Sequence, residues 1–195
     1  MAGSRRPLVL ASSSPYRKQL LDRLGLAFST VSPDIDETAL PGETPDALVE
    51  RLAEQKARAV GELHQGLIIG SDQVATIDDD ILGKPGNHEK AVAQLTRLSG
   101  NRVTFHTGLC LLDTAHHEAQ INVVPFTVQF RELSAAQIER YLHAEQPYNC
   151  AGSFKSEGLG ITLFEKLLGE DPTALVGLPL VKLTEMLSRA GIDLP

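Results

Sequence analysis

The sequence contains no tryptophan and only two cysteines, Cys110 and Cys150, among its 195 residues. Their spacing fits neither CxxC nor a zinc cluster, so they read as two reduced thiols, with a single disulfide left open. Positive charge is also in deficit: 18 Lys and Arg stand against 25 Asp and Glu, a formal net charge of −7. That balance argues against non-specific binding to long nucleic acids, which needs a basic face. It leaves room for a small polyanion, because a bound metal and a few converging cations can hold one phosphate chain inside an acidic protein. No stretch approaches the ~20 apolar residues of a spanning helix. The apolar run Leu8 to Ala11 follows Arg5 and Arg6 but is too short for a signal-peptide core, and Ser12 to Ser14 end it. The expectation is a soluble, cytoplasmic protein with no membrane partner. A Walker A motif and a dinucleotide fingerprint are both missing. The six histidines show no useful metal-ligand spacing, and there is no Ser-His-Asp or Cys-His nucleophile pattern.

What is present is enough apolar residue, 42%, to build a core. Helix and strand patterns interleave along the chain, which gives an α/β class in a single domain over residues 1–195. Leu8 to Ala11 reads as a short buried strand. Ser14-Pro15 caps and starts a helix that Gly25 stops. Ala27 to Val31 reads as a second strand. Thr44-Pro45 repeats the helix start and leads into an amphipathic run through Val60. Leu67 to Ile77 reads as a strand with a turn at Asp78-Asp79-Asp80. Asn87 caps a helix ending at Ser99-Gly100. Val103 to Leu112 and Ile121 to Phe130 form a strand pair, with His116-His117 exposed between them. Ser134-x-x-Gln137 is a capping box opening a helix to about Glu145. Gly152 to Phe164 reads as a glycine-punctuated loop and strand, and Pro179 to Ala190 as a final helix.

Five segments could carry chemistry, and each alone has an ordinary reading. Ser12-Ser13-Ser14-Pro15-Tyr16-Arg17 takes a strand into a helix N-terminus, where N–H groups and the helix dipole favour an anion; it equally describes a capped helix with a basic first turn. Asp34, Asp36 and Glu37 could gather a hard cation or simply form a solvated acidic loop. Gly70-Ser71-Asp72-Gln73 delivers an Asp at or near the end of an apolar strand, where α/β sites usually lie. There it could orient or deprotonate a water, or sit in a turn. Lys84, between Gly83 and Pro85, could meet a phosphate as a point charge or be a turn lysine. Lys56 by itself resembles any lysine on an amphipathic helix. Ala151 to Gly160, with three glycines, Lys155 and Glu157, suggests backbone approaching a ligand or a tight loop.

In this order the segments resemble the Maf family of nucleotide pyrophosphatases. The matches are Leu10-Ala11-Ser12-Ser13-Ser14-Pro15-Tyr16-Arg17, Asp36-Glu37, Glu54-Gln55-Lys56-Ala57, Gly70-Ser71-Asp72-Gln73, Gly83-Lys84-Pro85, Cys150-Ala151-Gly152-Ser153-Phe154 and the closing Thr173-Ala174-Leu175-Val176-Gly177-Leu178-Pro179. The resemblance covers nearly the whole chain. It implies an elongated α/β fold, a mixed sheet in two lobes with flanking helices and a central cleft, related to the inosine triphosphate pyrophosphatases. It also implies metal-dependent attack of water on the α-phosphorus of a nucleoside triphosphate, with pyrophosphate leaving. Asp72 matches the family's proton acceptor. Ser12, Arg17, Lys56 and Lys84 match polar and basic positions around the phosphates. Glu37 and Asp72 match the carboxylates for a divalent cation, Mg or Mn. A homodimer is admitted by the resemblance alone.

Many members carry two arginines after the Ser-Pro, and here Tyr16 stands in the first place. With Gln73 and Glu157, this looks like the branch that prefers 7-methyl-GTP. The resemblance then implies hydrolysis of 7-methyl-GTP to 7-methyl-GMP and diphosphate, a house-cleaning role against modified nucleotides. A dTTP/UTP or broad-specificity pyrophosphatase is the nearer alternative. A nucleotide-binding regulator of cell division or septum formation is the alternative of another class.

Overall fold

The structure is a computed structural model that describes residues 6–78 and 80–195. Arg5 and the middle residue of the Asp78-Asp79-Asp80 turn therefore lie outside the described residues. The chain forms β1 (Leu8–Ala11), α1 (Pro15–Asp22), β2 (Ser29–Val31), α2 (Pro45–Gly61), β3 (Leu67–Ile77), β4 (Asp80–Leu82), α3 (His88–Leu98), β5 (Arg102–Asp113), β6 (Glu118–Phe130), α4 (Ala135–Glu145), β7 (Phe164–Leu168) and α5 (Leu180–Arg189). The strands make one sheet in the order β2-β1-β3-β5-β6-β7, with β4 added on β3. Pairing is parallel between β1 and its two neighbours and antiparallel elsewhere. The α/β expectation is met, with a mixed sheet.

The helix starts follow the local chemistry read from the sequence. Ser14, Thr44 and Asn87 each accept from a backbone N–H in the first turn, and Ser134 with Gln137 closes a full capping box. Two expectations needed correction. The segment 152–164 is not a loop and strand but two short 3-10 turns, Ala151–Ser153 and Leu159–Leu163, and the strand begins only at Phe164. The second strand is shorter than expected, starting at Ser29. Cys110 and Cys150 are both free thiols. Among the described residues, no helix is long and apolar enough to cross a membrane.

Strands β3, β5 and β6 are 11, 12 and 13 residues long, so each runs about 35–45 Å. That length carries them through two separate packing environments. At one end, α1 and α5 cover one face of the sheet with Leu20, Leu21, Leu183 and Met186, while α2 covers the other with Ala53, Ala57 and Val60. At the other end, Leu95 and Leu98 of α3 and Ile138 and Leu142 of α4 pack on Phe105, Phe126 and Phe130. Phe154 stands edge-on to Phe105, Phe130 and Phe164 there, with ring centroids 5.0–5.4 Å apart.

The seam between the two ends is written into the pairing of β3. Its first part, Leu67 to Gly70, pairs with β1, which stops at Ala11. Its last part, Ala75 to Ile77, pairs with β4. Between them, residues 71–74 have β5 on one side and no described strand on the other. Asp72 and Gln73 occupy that gap.

Candidate active site

Helix α2 reaches this gap because two glycines let it lie almost on the sheet. A Cβ on Gly70 would stand 2.1 Å from the Ala53 carbonyl oxygen, and one on Gly108 would stand 2.1 Å from that of Val49. Gly108 is the direct cross-strand partner of Asp72. The close approach delivers Lys56 from α2 to Asp72 on β3, with Nζ 2.6 Å from Oδ1. The loop before α2 brings Glu37, whose Oε1 is 2.7 Å from the same Nζ. Lys56 and Asp72 are buried, whereas Glu37 is open to solvent.

Two expectations change here. Asp72 is not at a strand end but in mid-strand, as the reading of a strand over 67–77 has it, and it meets the cavity because β1 stops short of it. Lys56 is not a solvated helix lysine but the buried cation between two carboxylates.

The loop after β1 is folded on itself. Ser14 N–H donates to Ser12 Oγ at 3.1 Å, and Arg17 N–H to Ser14 Oγ at 3.4 Å. Arg17 is half-buried, and its Nε donates to the Gly177 carbonyl at 2.8 Å. Burial lowers its pKa, and the charges of Asp72 and Glu37 oppose that shift. Gly177 takes φ of +108°, a conformation that favours glycine, and its carbonyl also accepts from Ser71 Oγ at 2.9 Å. Gln73 is held similarly. Its Nε2 donates to Ala174 O at 2.6 Å and to Thr107 Oγ1 at 2.9 Å. Those partners are acceptors, so the amide nitrogen is committed to the protein, and among the described residues no donor reaches Oε1.

A cavity of about 550 Å³ opens over these groups. Its wall includes all nine residues to which the resemblance gives a site role: Ser12, Tyr16, Arg17, Glu37, Lys56, Asp72, Gln73, Lys84 and Glu157. Asp34 and Asp36 are not on the wall. Asp36 instead accepts from the Thr38 N–H and is held below its ordinary range by the Thr38 hydrogen bonds. Glu157 is exposed and accepts from Ser156 Oγ at 3.1 Å. Asn149, Ser32 and Phe105 also line the cavity and were not anticipated. Nor was a role expected for Gly177, whose carbonyl accepts from both Arg17 and Ser71. The glycine within Thr173–Pro179 was the available signal for it.

Among the described residues, three cations and three carboxylates thus face one volume: Arg17, Lys56 and Lys84 against Glu37, Asp72 and Glu157. A concave site with balanced charge and a strand-borne carboxylate beside a helix N-terminus suits a phosphate ester or anhydride. Residues 7–190 match the family described as Maf-like protein. The chain belongs to the Maf family.

Curated relatives are similar to this Maf chain over nearly full length. One from Nitrosococcus oceani, named 7-methyl-GTP pyrophosphatase, is 61% identical over 185 residues, 94% of this chain and 93% of the relative. Another of that name from Alcanivorax borkumensis is 60% identical over 189 residues, 96% of each. Among solved structures, a HAM1 protein from Coxiella burnetii superposes with a TM-score of 0.54 at 15% identity, over 94% of this chain and 99% of that one. That likeness extends the fold beyond the Maf family.

Proposed function

We propose that this Maf protein hydrolyses 7-methyl-GTP to 7-methyl-GMP and diphosphate, in the cytoplasm and with a divalent cation. The relatives' names support the reaction, and the character of the base-facing groups supports the substrate. Gln73 offers only its Oε1, because its nitrogen is engaged, and Glu157 is a carboxylate. Both are acceptors. Guanine presents adjacent donors at N1 and N2, whereas uracil and thymine flank their one N–H with carbonyl acceptors. Methylation at N7 adds positive charge to the ring, which the Tyr16 face can hold at roughly 0.5–2 kcal/mol.

The cation's fit rests on the Lys56 ammonium. It already stands between Asp72 and Glu37 in the place where a positive charge is favoured. Two carboxylate oxygens are the donor set that Mg²⁺ or Mn²⁺ takes, with waters and phosphate oxygens completing it. The cavity's own charges cancel, so a triphosphate needs this further positive charge. When bound, the cation would neutralise phosphate oxygens and polarise the α-phosphorus.

The chain's residues supply the remainder. Arg17, anchored by Gly177, and Lys84 face the phosphate chain. Lys56 holds the Asp72 carboxylate in one orientation. A water in line with the α–β bridging oxygen gives its proton to Asp72 as it attacks the α-phosphorus. The bond from that phosphorus to the bridging oxygen breaks, and pyrophosphate departs.

The test is pyrophosphate release from 7-methyl-GTP, GTP, dTTP and UTP, with and without Mg²⁺ or Mn²⁺. Metal-dependent preference for the methylated nucleotide is expected. Tyr16→Ala should lower kcat/KM for it by about 2- to 30-fold, with a smaller loss on GTP. Equal losses on every nucleotide, or preference for dTTP or UTP, would overturn the pocket assignment. A cellular effect on division that persists in Asp72→Asn would favour the regulator reading instead.

A further inference from the structure

We infer that His88, Glu139 and His143 form a second divalent-metal site, of the kind that takes Zn²⁺, where α3 meets α4. His88 is the first residue of α3, and Glu139 and His143 lie one turn apart on the same face of α4. The packing of the two helices brings one ligand atom from each within 4.8 Å of the others. Glu139 Oε2 is 2.9 Å from His88 Nε2 and 3.5 Å from His143 Nε2. The imidazole rings stack with centroids 5.2 Å apart.

Two imidazole nitrogens and one carboxylate oxygen are a recognised zinc donor set that leaves the fourth tetrahedral position to water. Ligand atoms around tetrahedral zinc stand about 3.3 Å apart, given bonds of about 2.0–2.1 Å. The two edges through Glu139 are already near that spacing. The third closes by rotation of His143, whose side chain is 75% exposed. His88 also has a partner for its other nitrogen: Nδ1 is 3.0 Å from the Tyr148 hydroxyl. A hydrogen bond to the second nitrogen is what orients a metal-bound histidine and fixes its tautomer. A bare His–Glu contact does not require that partner.

None of the three ligands lines the nucleotide cavity, and the inference does not depend on what that cavity binds. The site is nonetheless connected to it. The Tyr148 carbonyl accepts from Gly86 N–H at 2.9 Å, and Asn149 and Lys84 are on the cavity wall. A metal here would tie together the two segments that carry them.

The experiment uses the untagged full chain in a Glu37→Gln background, which weakens metal binding in the nucleotide cavity. Co²⁺ is titrated in and followed by visible absorption, then displaced with Zn²⁺. One equivalent is expected, with the intense d–d band of four-coordinate cobalt. His143→Ala and Glu139→Gln should each abolish that band while circular dichroism stays unchanged. Tyr148→Phe should weaken Zn²⁺ by about tenfold. Absence of the band at saturating Co²⁺, or its survival in both ligand variants, would overturn the site.

Discussion

Lys56 holds Asp72 at 2.6 Å inside the protein and Glu37 at 2.7 Å at its surface, so one ammonium joins a buried carboxylate to an exposed one. Replacing it with methionine keeps most of the stem and leaves Asp72 buried without its counter-charge. In metal-free buffer, Lys56→Met should lower unfolding free energy by about 3 kcal/mol. Mg²⁺ should recover part of that loss and stabilise the variant more than the parent, because the cation supplies the counter-charge that the variant's carboxylates lack. Urea unfolding with and without Mg²⁺ measures both. An equal Mg²⁺ effect in the two proteins would mean that the carboxylate pair is not the metal site.

Gly108 should not tolerate alanine. The added Cβ meets the Val49 carbonyl at 2.1 Å, and backbone on both sides leaves no flexible side chain to yield. Gly108→Ala should cost about 1–3 kcal/mol and lower kcat as well, since lifting α2 off the sheet withdraws Lys56 from Asp72. Gly83→Ala, with no atom within 4 Å of the new Cβ, should leave stability nearly unchanged and serves as the comparison.

Asp171 ties the closing segment together. It is 2% exposed, and its carboxylate accepts from Thr173 N–H and Oγ1 and from Val181 N–H in the first turn of α5. Removing it orphans these donors, so Asp171→Ala should cost about 2–3 kcal/mol. The same segment supplies the Ala174 carbonyl that fixes the Gln73 amide. Discrimination between 7-methyl-GTP and UTP should therefore narrow in this variant. A stability loss with unchanged discrimination would separate the two roles.

Acid should loosen the Glu37 loop as Glu43 loses its charge. Glu43 accepts from Arg51 Nε at 2.6 Å and Nη2 at 2.7 Å, and from Leu40 N–H at 2.9 Å. The Arg51 hydrogen bonds, then that of Leu40, pull its pKa from 4.5 down to about 2. The folded value lies below the unfolded one. The contribution to stability is therefore complete above about 4.5 and is lost as pH falls towards 2. Glu43→Gln should flatten the pH dependence of unfolding in that window. A profile identical to the parent's would show that the pair contributes nothing.

The helix boundaries were legible because their causes are local. Ser14-Pro15, Thr44-Pro45, Asn87 and Ser134-x-x-Gln137 each state a helix start within four residues. The strand reading over Leu67 to Ile77 already put Asp72 in mid-strand; why it can line a cavity from there was not legible, because that depends on the length of β1, a different segment. Lys56 looked ordinary because its burial depends on Gly70 and Gly108, whose purpose is visible only once α2 lies on the sheet. His88 and Glu139, 51 residues apart, gave no spacing signal at all. They meet only because α3 and α4 pack on the same aromatic cluster. Eight of the nine cavity residues lie in an ordered set of short motifs, each too weak to stand alone, and Glu157 enters as a site residue only with the 7-methyl-GTP branch.

The Arg17 side chain is fastened to a carbonyl 160 positions further along the chain. Closing the Arg17 wall of the cavity is therefore a long-range step, which waits until the segment carrying Gly177 has packed against the first helix. The cap on the first helix is local, made by Ser14 three residues before Arg17, whereas the bond that aims the Arg17 side chain is not. The cavity is thus completed by tertiary packing, and a disturbance confined to the closing segment reaches its far wall without touching the helix that carries Arg17.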